Sequence, residues 1–285
     1  MGMPPRTTPT LRQRRLGAEL RKLREQAGLS TRQAGELLST DPARVSNTEA
    51  GRFGVSPERV RMVAYNYGCQ NEELIAALAG MAAGRGRGWW DDYREMLPAV
   101  LLDLAEMEHH ATALRTTQVM HLPGLFQTLE YARLVFRQNI PALPQSETEF
   151  RVSQRLKRQH VLFRENPVPY LAIIHEAGLR MMFGDRDTTR EQLEHLIAMG
   201  ERANVTLQVI PFSAGLVPGA GQTVVLAEGP VPQLDTVQLD TEHGSVFLDA
   251  ETQLAKYRTL VNRLEGMALN PDASREMIRS IINSL

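Results

Sequence analysis

In the stretch Asp41-Pro42-Ala43-Arg44-Val45-Ser46-Asn47, side chains able to read base edges fall on what a helix would make one exposed face. An arginine presents a planar fork of donors that matches guanine, an asparagine amide matches adenine, and an alanine methyl can meet the methyl group of thymine. Ala43, Arg44 and Asn47 are therefore candidates for base contact in a major groove. Thr31 and Arg32 before them and Arg52 just beyond are of types that hold phosphate. The partner this chemistry points to is double-stranded DNA.

Other reactive groupings are weaker. His109 and His110 are adjacent, so on a helix they point about 100° apart and cannot share a metal. Glu106 and His110 have ligating spacing, yet no second pair joins them. His243-Gly244-Ser245 reads as a hairpin turn, and no G-x-S-x-G elbow exists. The glycines of Gly84–Gly88 and Gly219-Ala220-Gly221 lack the strand and Lys-Ser/Thr context of a phosphate loop. We expect no catalytic residue, no metal and no cofactor. Trp89, Trp90, Phe126, Tyr131, Met181, Met182 and Phe183 are candidates to line an effector pocket, although aromatic and methionine clusters form core more often than cavity.

These groups need elements to position them, and 285 residues fits two domains. The net charge of −1 conceals an asymmetry: residues 1–88 carry 14 Arg and Lys against 8 Asp and Glu, and the rest 18 against 25. A basic part joined to an acidic one assigns contact with a polyanion to the first. The lone Cys69 excludes an internal disulfide and any Cys-rich zinc site. No run nears the roughly 18 apolar residues of a membrane span, and residues 1–10 are unlike a signal peptide, so a cytoplasmic, membrane-free protein is expected.

Residues 1–10 read as a flexible arm. Leu16, Leu20, Leu23 and Ala27 mark one helical face ending at Gly28. Ser30 with Gln33 has capping-box spacing for a second helix to Leu38. Asp41-Pro42 starts a third that stops at Gly51, Ser56-Pro57 a fourth, and Asn71 caps a fifth reaching about Ala83. Gly84–Gly88 reads as a linker. Beyond it, helix is expected over Trp89–Ala113 with a kink or break at Pro98, then over Gly124–Asn139, Glu147–Asn166 and Thr188–Arg202. Strands are expected at Arg115–His121, Tyr170–Ile174, Val205–Pro211, Gln222–Ala227, Thr236–Leu239 and Ser245–Leu248. A long helix through Leu254, Tyr257, Val261 and Leu264, and another from Pro271, close the chain. The fold class is a mainly α, five-helix domain over 11–83 followed by an α+β domain over 89–285.

The second and third helices have helix-turn-helix spacing. With Leu20-Arg21, Arg24, Gly28-Leu29-Ser30, Val45-Ser46 and Glu49-Ala50-Gly51, the segment 14–70 resembles the lambda/Cro-repressor-like (XRE) family. In the acidic half, Leu122–Arg133, Arg155–Leu162, Glu176-Ala177-Gly178-Leu179-Arg180 and Val205–Pro211 stand in the order of the domain of unknown function 5753, carried by actinobacterial antitoxin-like regulators. Departures are mild: Leu122 replaces the usual valine and Phe126 a leucine. The resemblance implies a transcriptional regulator of development or secondary metabolism, often working with a small partner protein, and it implies no particular ligand. The acidic half then either dimerises the DNA reader, docks a partner protein, or senses a small-molecule effector.

Overall fold

In a computed structural model, residues 8–84, 88–219, 221–241 and 244–285 are described. Most of the expected arm, the centre of the expected linker and His243 of the expected hairpin lie outside them. The chain divides into two compact units, Met1–Trp89 and Trp90–Leu285.

Among the described residues the first unit is built of helices alone: α1 Leu11–Gln26, α2 Thr31–Leu37, α3 Pro42–Glu49, α4 Pro57–Asn66 and α5 Glu72–Ala83. Each start is a side-chain cap. Thr10, assigned to the arm in the sequence reading, forms a capping box with Gln13, and Ser30 does the same with Gln33. Asp41, Ser56 and Asn71 accept from backbone N–H groups of the next three helices. These caps satisfy donors that a helix leaves unpaired. Leu16, Leu20, Ala34, Val45, Val60, Val63, Ile75 and Leu78 are all buried. Gly17 permits the contact of α1 with α3, because a Cβ there would lie 2.3 Å from the Glu49 carbonyl oxygen.

The second unit is built on one six-stranded sheet of order β3-β2-β1-β4-β5-β6, with β1 Ala113–Gln118, β2 Tyr170–His175, β3 Val205–Ile210, β4 Val224–Glu228, β5 Thr236–Thr241 and β6 Gly244–Leu248. β1, β2 and β3 are parallel, Thr116 standing opposite Ala172; β4, β5 and β6 continue antiparallel, Thr116 standing opposite Val225. Its helices are α6 Ala99–His110, α7 Leu129–Arg137, α8 Gln145–Arg158, α9 Glu176–Arg180, α10 Arg186–Gly200, α11 Glu251–Met267 and α12 Pro271–Ser284. Strand alternation separates two cores. Leu114, Tyr170, Ala172, Ile174, Leu207 and Val209 face α7, α10 and α12. Ile173, Ile210, Leu226 and Val237 face Leu254, Val261 and Leu264 of α11.

Several expected boundaries move. Trp89–Ala113 is a short 3-10 turn, Trp89–Tyr93, followed by α6, because Pro98 breaks the helix. Gly124–Asn139 is likewise interrupted: Thr128 caps α7 by accepting from the Tyr131 N–H, and only a 3-10 turn precedes it. Helix over Glu147–Asn166 ends at Arg158 and passes into a 3-10 turn. β1 stops at Gln118 rather than His121, with the carbonyls of Val119 and His121 set against Gly178 of α9.

Candidate nucleic-acid interface

α3 is eight residues long and is held at both ends. At its start the Asp41 carboxylate accepts from the Ala43 N–H at 2.6 Å, and Pro42 occupies the first position, where no N–H is needed. Val45 is the buried anchor. At its end Glu49 receives two hydrogen bonds from Arg24 of α1, at 2.6 and 2.9 Å, with both side chains nearly closed to solvent. Arg24 also donates to the Leu29 carbonyl at 2.7 Å, tying the turn before α2 into the same contact. The Glu49 hydrogen bonds hold the Arg24 pKa above its ordinary value.

With the back of α3 fixed, its front is open. Ala43, Arg44 and Ser46 are exposed and Asn47 is half-buried, a combination suited to base contact. The Asn47 amide donates to the Ala43 carbonyl at 2.9 Å, and Arg52 donates to the Asn47 side-chain oxygen at 3.4 Å. Asn47 therefore has to rotate out of an intrahelical bond to read a base, and Arg52 touches it. Thr31 opens α2 half-buried, and the exposed Arg32 pairs with Glu36 at 3.2 Å. Gly51, at φ +72°, turns the chain out of α3 toward Arg52.

The sequence reading missed Arg59. It lies on α4, donates to the Leu38 carbonyl at 3.1 Å, and lines with Arg44, Thr48 and Tyr67 a groove of about 460 Å³ beside the recognition helix. Ser56-Pro57 signalled that helix, but only the fold shows that Arg59 faces α3.

The residues considered for an effector pocket do not form one group. Phe126 is buried in the core, its ring 5.0 Å from that of Tyr170. Trp90 is buried against His109 at 5.0 Å and His110 at 6.0 Å, and Trp89 is half-buried beside it in sequence. Tyr131 and Phe183 do meet, at 5.1 Å, and Phe183 also touches His121 at 5.5 Å. Met181 and Met182 are exposed at the surface next to Phe183.

With this geometry in place, comparison with known families gives two matches. Residues 101–280 match the domain of unknown function 5753 and residues 15–78 match a helix-turn-helix domain. The chain belongs to the family defined by the first, which spans most of its length, and its helix-turn-helix domain supports a role as a DNA-binding regulator. No curated protein and no solved structure matches it. Among the described residues no helix is long and apolar enough to cross a membrane.

Proposed function

We propose that this chain is a sequence-specific transcriptional regulator of the lambda/Cro-repressor (XRE) type, acting in the cytoplasm as a homodimer and by binding rather than catalysis. The observation that supports this best is α3 itself: Ala43, Arg44 and Asn47 lie on the open side of a helix whose other side is anchored by Val45 and by Glu49. A rigid support of this kind is what base reading requires, because misplacing a bidentate fork loses its discrimination. Phosphate contacts are assigned to Thr31, Arg32, Arg52 and Arg59. The second unit, with its own two cores, supplies dimerisation together with the docking of an effector or of a small partner protein.

Footprinting on selected operator DNA tests the reading. A symmetric pair of half-sites about 10 bp apart is the expected result, since two recognition helices of a dimer enter successive major grooves on one face of the duplex. Protection of a single isolated half-site by a monomer would contradict it.

A further inference from the structure

Among the described residues three arginines engage both oxygens of a carboxylate in the same way, through the edge formed by Nε and Nη2. Arg24 does so with Glu49, Arg158 with Glu108 at 2.7 and 2.6 Å, and Arg133 with Glu149 at 3.0 Å from each nitrogen. This is the side-on fork that fits the two oxygens of a carboxylate. Arg155, one turn before Arg158 on α8, has that edge unfilled. Its Nη1 donates to the Gln127 side-chain oxygen at 2.5 Å and its guanidinium stacks at 4.1 Å on the Phe136 ring. Its Nε is shut off from solvent without a hydrogen-bond partner, and its Nη2 has none among the described residues.

Among the described residues, the surroundings hold the guanidinium in place without pairing it to a carboxylate. Gln127 is buried and fixed by its own amide, which donates to the Leu122 carbonyl at 2.8 Å, while Gln159 donates to the Gln127 carbonyl at 2.7 Å. Glu108 is committed to Arg158, and the nearby Asp240 accepts instead from Gln238 and Ser245. Burial, then the Arg158 cation, push the Arg155 pKa down, while Asp240 and Glu108 oppose them more weakly. A second orphan lies close by: the buried Tyr131 hydroxyl, near the Leu122 backbone, finds no hydrogen-bond partner of good geometry. Tyr131 is also the ring that meets Phe183, which touches the exposed His121. The Arg155 Nε and the Tyr131 hydroxyl are thus two buried polar atoms, close together, that the polar side chains around them leave without a well-placed partner.

We propose that the Nε/Nη2 edge of Arg155 is a receptor for the carboxylate of a small molecule whose apolar body lies along Tyr131 and Phe183. This deepens the effector reading of the second unit and rests on it, but its test involves neither DNA nor assembly, so either can fail without the other. Holding a half-buried arginine charged, with its Nε closed to solvent and unmatched, costs stability, and the cost is recovered when the carboxylate arrives.

The test follows the Arg155 Nε–H resonance of the full-length, isotope-labelled protein, assigned by its disappearance in Arg155→Met, during titration with formate, acetate and benzoate. The expected result is a saturable shift with carboxylates at millimolar concentration, tightest for benzoate, and none with chloride at equal ionic strength. Thermal melts supply the second readout. Arg155→Met should melt closer to the parent than Arg158→Met does, because it strands only the neutral Gln127 side-chain oxygen, whereas Arg158→Met strands the Glu108 carboxylate. Absence of a saturable shift with all three carboxylates would overturn the proposal. So would an Arg155→Met melt depressed as far as that of Arg158→Met, which would show a purely structural arginine.

Discussion

Arg24 and Glu49 form a bidentate ion pair, at 2.6 and 2.9 Å, that fastens the end of the recognition helix to α1 across 25 residues of sequence. Both side chains are only 8% exposed. Removing one member leaves the other as an unpaired buried charge, which is far costlier than losing an exposed pair. Glu49→Ala should therefore destabilise the first unit by about 3–5 kcal/mol. Hydrogen exchange of α1 and α3 amides in the full chain should show the loss; unchanged protection would mean that the pair contributes little to positioning α3.

Base and phosphate roles separate in a binding assay. Arg44→Ala and Asn47→Ala should each cost about 1–3 kcal/mol at one base position and relax preference there. Arg52→Ala should weaken all sequences alike and lower the salt slope by about one. The 3.4 Å contact between Arg52 and Asn47 adds a coupling that distant sites would lack. The double variant should therefore depart from the sum of the single ones. A change of base preference in Arg52→Ala with none in Arg44→Ala would invert the assignment.

What the sequence disclosed about these sites follows the range of the interactions. Caps act within three residues, so Ser30, Asp41, Ser56 and Asn71 announced four helix starts, and Gly28 and Gly51, at φ +70° and +72°, announced two ends. Arg44 and Asn47 could be placed on one face from helical spacing alone. Long-range pairings have no such local signature. Three-residue spacing places Arg155 and Arg158 a turn apart on one helix, but nothing local marks Glu108, 50 residues earlier, as the partner of Arg158, or Arg155 as the one of the two without a carboxylate. Boundaries failed where a tertiary contact overrides local preference, as at Gln118, or where a threonine cap sits inside an apolar run, as at Thr128.

Acid stability of the second unit should carry a contribution from Glu176. This carboxylate accepts from the Phe212 N–H at 2.8 Å and from Arg180 at 2.7 Å. Burial works to raise its pKa, yet the Phe212 and Arg180 bonds prevail and hold it below the ordinary 4.5. A carboxylate whose pKa is lower folded than unfolded stabilises above its unfolded value and loses that contribution as pH falls through the folded one. Glu176→Gln should lower stability near neutral pH by about 1 kcal/mol, the difference between a charged and a neutral hydrogen bond, and should flatten the acid limb. Parallel stability curves for parent and variant between neutral and acid pH would rule out this linkage.

The last prediction concerns what the second unit adds to DNA binding. The first unit is small, and a module of that size buries modest area on DNA, so it binds weakly alone. Joining two of them through another surface makes the second binding event intramolecular and raises affinity by effective concentration. Residues 89–285, with two cores on the two faces of one sheet, have the size to supply that surface. Their excess of acidic over basic residues, 25 against 18, disfavours direct contact with phosphates. A fragment of residues 1–84 should therefore fold and lose most of its operator affinity, whereas residues 89–285 should sediment as a dimer and leave DNA unbound. Analytical ultracentrifugation of both fragments and a titration at fixed salt make the comparison. If residues 1–84 bind the operator as tightly as the full chain, dimerisation through the second unit is not what holds the reader on DNA, and effector or partner docking becomes its principal role.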